Sequence, residues 1–415
     1  MKTKIQADNM RPHDVAIAGG GAAGLALAIL LARAGARVVL IDMSAPKPLK
    51  ETKPGGRTSA LMQGSINILR ATGAWERCES LGAPLRTVKI IDDTDKTNKK
   101  AEVVFDSADL EFESFGVNMP NSILRAALFE EARSLETLTL LIPASLKNYS
   151  IDEMGVTITS DKGGTLRTRL LVGADGRKSR VREIAGITCK IHDHGQSAIT
   201  CLIEHTRPHE ETSAEFHRPG GPFTLVPLPG NTSSVVWVER TKDADKFMTL
   251  NRPAFELVLQ ERTKNTLGKI HLVGHPEAWP LSSLKAERLT APRVALMAEA
   301  AHVLHPQGAQ GLNLSLRDVA ALAETIMDAL RLGLDPGETT VLERYERRRH
   351  LDIATRILGT DGLSRMVATD FSWLHGLRRL GLRAVDALPP LKMLAMREGL
   401  APAHDESRLA KGLPL

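Results

Sequence analysis

Cysteine is scarce in these 415 residues, and what there is forms no pattern. Cys78, Cys189 and Cys201 are three, with no C-x-x-C among them. So odd and widely spaced a set argues against a disulfide framework or a zinc site and suits a reducing compartment. Long apolar runs are missing too: none reaches the roughly 18 residues that crossing a bilayer requires. The opening residues are polar and the apolar stretch after them is broken by glycines, a poor match to a secretory signal. Charge of one sign is also lacking. A net charge of +5 is too weak to argue for nucleic acid, although it suits an anionic membrane surface or a nucleotide. There are no internal repeats and no low-complexity tracts. A cytoplasmic protein, soluble or peripheral to a membrane, is the expectation.

What the chain does have is glycine in one organised setting. The apolar run Val15–Ala18 reads as a buried strand and leads into Gly19-Gly20-Gly21-Ala22-Ala23-Gly24. A helical apolar stretch follows, Gly35 stops it, and a second apolar run ends in Asp42. This is G-x-G-x-x-G in the order strand, tight turn, helix, strand. Gly19 permits the turn, Gly21 lets the backbone approach a pyrophosphate, and Gly24 lets helix and strand pack closely. The N-terminus of the helix offers unpaired N–H groups and a partial positive charge to phosphates. Asp42, 18 residues beyond Gly24, stands where a carboxylate accepts hydrogen bonds from ribose hydroxyls. The pattern predicts dinucleotide binding without separating FAD from NAD.

Downstream, Met43 to Gly56 is rich in proline and glycine and reads as a loop. Arg57-Thr58-Ser59 is expected to open a helix ending at Gly73, with Arg57 placed to pair with a diphosphate or to lie plainly on the surface. A second helix is expected from Asn121 or Ser122. Arg125, near its start, works against the helix dipole and is expected to meet an external anion or solvent. A strand ending in Asp175-Gly176 puts a carboxylate at a strand C-terminus, the edge where open α/β sheets bind ligands. Residues 190–285 alternate short strands with Pro/Gly turns and read as a β-rich region able to roof a pocket; its His192, His194 and His205 are read as surface residues. Near the C-terminal third, Val294–Met297 is a strand, Glu299 follows it, and a loop holds Pro306, Gly308 and Gly311. A helix then starts near Gln310-Gly311 and aims its N–H groups at whatever fills the loop. His302 and His305 have no third ligand nearby and are not read as a metal site. Residues 339–400 are helical and Arg-rich, interleaved with Leu and Trp, a composition compatible with a membrane interface or a helical cap.

Three signals in this order, G-x-G-x-x-G at Gly19–Gly24, Asp175-Gly176, and Ala298-Glu-Ala-Ala-His through Pro306-x-Gly-Ala-Gln-Gly-Leu-Asn313, carry a resemblance. The chain resembles the FAD-dependent aromatic hydroxylases of the para-hydroxybenzoate hydroxylase type. Gly56-Arg-Thr-Ser-Ala-Leu-Met-Gln, Trp279-Pro-Leu-Ser, Gly311-Leu-Asn-Leu-Ser-Leu-Arg-Asp and Met396-Arg-Glu-Gly-Leu make it most similar to the ubiquinone-biosynthesis hydroxylases. The resemblance implies an α/β fold: a Rossmann-like, glutathione-reductase-type FAD domain, a β-sheet substrate domain and a C-terminal helical segment. The divisions expected are 1–84, 113–189 and 286–335 for the FAD domain, 85–112 and 190–285 for the substrate domain, and 336–415 for the helical segment.

By the same resemblance, Gly19, Gly21, Ala23 and Gly24 hold the FAD pyrophosphate and Asp42 the adenosine ribose. Arg57 and Arg125 line the diphosphate and ribityl region, and Asp175 and Gly176 lie beside FAD and the nicotinamide cofactor. The family usually has Gly-Asp before Ala-Ala-His, with the Asp on the ribityl chain; this sequence has Ala298-Glu299, one methyl and one methylene larger. Pro306, Gly308, Gln310, Gly311, Leu312 and Asn313 are implied to face the isoalloxazine ring. The implied chemistry is hydroxylation of a polyprenylated phenol by O2 through a C4a-hydroperoxide of the flavin, with no catalytic side chain required. The electron donor is NAD(P)H or a partner reductase, since no second G-x-G-x-x-G occurs. A place at the inner membrane surface within a quinone-biosynthesis complex goes with that reading. The alternatives are a soluble hydroxylase of a small aromatic acid and a flavin-poor scaffold.

Overall fold

Two eight-stranded sheets organise the residues described by this computed structural model, which are 12–93, 101–368, 385, 387–400 and 407–415. The first sheet has a parallel centre in the order Val294–Leu296, Thr165–Gly173, His13–Ala18, Val38–Ile41 and Leu138–Leu141. Runs such as Val38-Val-Leu-Ile are buried at every position, as strands covered on both faces must be. Between its first two sequence strands lies the helix Ala22–Arg33, with Ala23 to Ala32 all buried. A helix apolar on every side belongs in an interior. This one packs between the sheet, the helix Asn121–Ser134 and the long helix Gln310–Arg331.

The second sheet runs His302–Val303, Ile270–Ala286, Cys189–His205, Thr232–Arg240, Gly221–Leu228, Thr212–Arg218, Thr87–Asp92, Glu102–Asp106. Its pairings are antiparallel except for Thr212–Arg218 against Thr87–Asp92. Side chains alternate across it. Phe216, Phe223 and Trp237 point into a core closed by the helices Thr241–Met248 and Arg252–Arg262, and the intervening residues face the first sheet's helices across an open space. These two helices were not legible as part of a β-rich stretch. They form because Asn251 caps the second, accepting from the Ala254 N–H at 3.0 Å, with Pro253 in its first turn.

Two expected helix starts differ. Thr58–Met62 is a strand, paired antiparallel with Gly116–Pro120, and the helix begins only at Gln63. The hydroxyls expected to cap it bond sideways instead, Thr58 to Ser234 at 2.9 Å and Ser59 to Asn121 Oδ1 at 2.7 Å. Gly73 does end this helix, at φ +73°. The helix Asn121–Ser134 has Pro120 at its N-cap and no side-chain cap, because Asn121 serves Ser59 and Ser122 donates to the Lys53 carbonyl. The C-terminal part supplies the helices Thr339–Ala368 and Pro389–Leu400; the Trp373–Arg383 stretch lies outside the described residues.

Candidate active site

The glycine turn is shaped by contacts that leave no room for side chains at two of its three positions. Gly19 has φ +112°, and a Cβ there would sit 2.2 Å from the Ala174 carbonyl oxygen. A Cβ on Gly24 would lie 1.9 Å from the Gly19 oxygen. Gly21 is different: a Cβ would meet nothing within 4 Å, because Gly21 and Ala23 border open space. Asp42 stands behind this turn. Its Oδ2 accepts from the Gly20 N–H at 2.6 Å, and its Oδ1 accepts from the Ser44 N–H at 2.9 Å and from Arg125 at 3.1 Å. Arg125 also donates to the carbonyls of Gly20 at 2.8 Å and Ser44 at 2.6 Å while lining the cavity. Asp42 thus supplies Arg125 with a countercharge within the chain, while the arginine side chain still borders the cavity.

Asp175 turns inward in the same way. It accepts from Ser179 Oγ at 2.5 Å and from the N–H groups of Arg180 at 2.7 Å and Val181 at 3.1 Å, fastening the short helix Arg180–Ile184. Gly176, at φ +85°, is the member of the pair that borders the cavity. Arg57 also lines it, exposed, with its guanidinium 5.0 Å from the Trp279 ring centroid.

The late loop is anchored by a buried ion cluster that the sequence did not reveal. Asp318, fully buried on the helix Gln310–Arg331, accepts from His302 Nε2 at 2.6 Å, Arg349 Nε at 2.7 Å and the Ala298 N–H at 2.9 Å. Burial alone would raise its pKa; the facing charges of His302 and Arg349 overcome that and hold it at about 2. Ala298 is pulled to φ +53°, a left-handed conformation. Glu299, next to it, is half exposed and lies 3.5 Å from Arg177. The loop then runs through His305, whose pKa falls to about 4, chiefly through burial and then through the neighbouring His194. The His194 side chain is only 4% exposed and His205 is buried, so neither is a surface residue; Ser283 holds the first at 2.7 Å and Ser233 the second at 3.0 Å, while His192 is exposed.

Pro306, Gly308, Gln310, Gly311 and Leu312 border the cavity. Asn313 sits one step behind. Its amide donates to the carbonyls of Ala60 at 2.8 Å and Ala309 at 2.9 Å, and its oxygen accepts from Met62 N–H at 2.9 Å and Ser65 at 2.7 Å. That saturates the side chain and ties the helix start to the Thr58–Met62 strand.

The lining residues among these, Gly21, Ala23, Arg57, Arg125, Gly176, Glu299 and Pro306 to Leu312 apart from Gln307, ring one cavity of about 1640 Å³. Pockets for one ligand span roughly 300–1,000 Å³, so this one has room for two. One end is the glycine turn. The other is the open face of the second sheet, floored by Val88, Ile90, Val226, Val236 and Val238. Glu215 and His217 interrupt that apolar floor, joined Oε1 to Nε2 at 2.7 Å. Neither was singled out from the sequence, although Ser213, Glu215 and His217 alternate with Ala214 and Phe216 as a two-faced strand should.

Fold and site together define a dinucleotide-dependent oxidoreductase whose cavity has room for a second ligand. The sequence profile of the family described as "FAD binding domain" matches residues 12–359. Ubiquinone hydroxylase UbiL of Rhodospirillum rubrum is 37% identical over 406 residues, covering 97% of this chain and 93% of that one. The 3-demethoxyubiquinol 3-hydroxylase of Escherichia coli (strain K12) is 30% identical over 398 residues, covering 94% and 99%. Among solved structures, p-nitrophenol 4-monooxygenase PnpA from Pseudomonas putida DLL-E4 superposes with a TM-score of 0.78 at 18% identity, over 96% of this chain and 99% of that one; this likeness concerns the fold. The chain belongs to this family of FAD-dependent monooxygenases, in the group of the ubiquinone hydroxylases.

The cradle fits FAD. Gly21 offers unobstructed backbone, no acidic residue occupies the first turn of either helix that opens on the cavity, and a second such helix starts at the far end of the loop.

Proposed function

We propose that this enzyme hydroxylates the aromatic ring of a polyprenylated phenol in ubiquinone biosynthesis, using FAD and O2. The observation that carries this is the single cavity joining the glycine turn to a mostly apolar sheet face. In this reading Gly19, Gly21, Ala23 and Gly24 cradle the pyrophosphate, with Arg57, Arg125, Gly176 and Glu299 along the middle of the cofactor. Asp42, Asp175 and Asn313 hold the segments that touch it. Pro306 to Leu312 face the isoalloxazine ring, where the N–H groups opening the helix Gln310–Arg331 stabilise negative charge.

Bound FAD supplies oxygen activation and transfer to the ring. The chain binds, orients and excludes water. Reducing equivalents come from NAD(P)H or a partner reductase visiting the open side. Mass spectrometry of quinones from a strain lacking the gene tests the reading. A prenylated phenol one oxygen short of the next intermediate should accumulate and vanish on complementation. A normal quinone profile, with no second hydroxylase present, overturns it.

A peripheral membrane contact is the companion proposal. Leu351 and Leu358 on the helix Thr339–Ala368, and Leu388, Leu391 and Leu394 nearby in sequence, are exposed, with Arg344 and Arg347 exposed on the same long helix. Exposed leucines beside arginines suit an anionic lipid surface, the phase that dissolves such a substrate. Among the described residues no helix is long and apolar enough to cross a membrane. Co-sedimentation with liposomes containing anionic lipid, lost at high salt, is expected; no co-sedimentation favours a small soluble aromatic as substrate.

A further inference from the structure

Among the described residues four carboxylates line the cavity: Glu215, Glu277, Glu299 and Asp352. Three of them are unsuited to a buried ligand. Glu277 and Glu299 are exposed at the rim, and Glu299 faces Arg177. Asp352, on the helix Thr339–Ala368, is shared among Arg317 at 3.3 Å, Arg349 at 2.6 Å and Arg356 at 3.7 Å. Glu215 alone is half-buried on the apolar floor with unused capacity.

Its surroundings define what that capacity can take. In the sheet Glu215 pairs with Ile90 on one side and Thr224 on the other. His217, buried at 5% exposure, holds Oε1, which fixes the carboxylate's orientation. Among the described residues Oε2 receives no hydrogen bond, and the side chain remains 19% exposed, toward the cavity. Glu215 also acts on His305, at the start of the loop proposed to face the flavin, tending to raise a pKa that burial lowers. Glu215 lines the same cavity as Pro306, Gly308 and Gln310. A carboxylate oxygen in apolar surroundings, oriented but not saturated, is an acceptor for one strong donor.

Resting on the hydroxylase reading above, we propose that Glu215 Oε2 accepts the hydrogen bond of the substrate's phenol hydroxyl, with His217 as its positioning residue. The anchor sets the rotation of the ring and hence which ring carbon meets the loop Pro306–Leu312. The prenyl chain runs over the adjoining apolar floor of Val88, Phe105 and Phe115.

The test compares binding of 2-prenylphenol with that of its O-methyl ether, followed by perturbation of flavin absorbance in the oxidised holoenzyme. The ether keeps the shape and removes the donor. Hydrogen bonds to a charged partner correspond to roughly a 10- to 100-fold preference for the phenol in the wild type. Glu215→Leu should bind the ether as the wild type does and lose the preference. Glu215→Gln, which keeps a neutral acceptor and the shape, should retain only a several-fold preference and serves if the leucine variant does not fold. His217→Asn should lower the preference without abolishing it. A preference that survives in Glu215→Leu or stays undiminished in Glu215→Gln overturns the assignment, as does equal binding of the two ligands by the wild type. If the wild type binds neither ligand, the substrate reading itself falls and takes this anchor with it.

Discussion

Two carboxylate–histidine pairs of almost equal length sit in this molecule, Asp318–His302 at 2.6 Å and Glu215–His217 at 2.7 Å. Their surroundings make them opposites. Asp318 is wholly buried and accepts from three donors on two segments, so nothing is left for a ligand. It clamps the Ala298 turn, the helix Gln310–Arg331 and the helix Thr339–Ala368 together. Glu215 is partly open to the cavity and serves one partner. The pair as such does not decide the role. The remaining hydrogen-bonding capacity does.

Breaking the saturated pair should have the largest effect on stability. Removing one member of a buried, paired ion cluster typically destabilises by about 3–5 kcal/mol, because the other charges remain buried. Asp318→Asn is expected to fall in that range in urea unfolding and to release FAD more readily, since the Ala298–Glu299 turn loses its tether. Glu215→Leu, which leaves only the neighbouring His217 without its partner, should shift the same unfolding curve less, by about 1–3 kcal/mol. The acid limb sharpens the contrast. With its folded pKa lowered to about 2, Asp318 stabilises the protein above the ordinary carboxylate pKa, and that contribution disappears as pH falls from about 4 to 2. Unfolding of Asp318→Asn should therefore be flatter with pH across that window. Equal losses in the two variants would erase the distinction drawn between the pairs.

The same contrast explains what was legible in the sequence. The glycine turn was readable because its spacing is contained in six residues, with Gly24 meeting Gly19, even though the neighbour that excludes a side chain at Gly19 is Ala174, far along the chain. Asp175-Gly176 was legible as a place. Its division of labour was not, because the carboxylate's partners Ser179 and Arg180 are recognisable only once the short helix forms. Thr58–Met62 was misread because helix-start chemistry competes there with a strand partner, Gly116–Pro120, far along the chain. Asp318 and His302 are 16 residues apart and meet only when the helix Gln310–Arg331 folds back against the Ala298 turn. The strand pattern does put Glu215 and His217 on one face, but nothing local says which face borders a cavity.

The smallest expected effect lies beside the saturated pair. Ala298 holds φ +53° while its N–H donates to Asp318, and left-handed backbone costs an L-residue roughly 1–2 kcal/mol. Glycine, the residue usual here in the resembling family, relieves that strain. It also adds freedom to the unfolded chain worth about 0.4–1 kcal/mol. Ala298→Gly should therefore stabilise by less than about 1 kcal/mol, raising the melting temperature by only ~1–2 °C in a chain of this size. The sign is informative because the alanine methyl is also buried, at 7% exposure. A rise means that the tether to Asp318 imposes the strained turn. A fall means that the methyl's packing outweighs the strain, so that alanine at this position stabilises the turn.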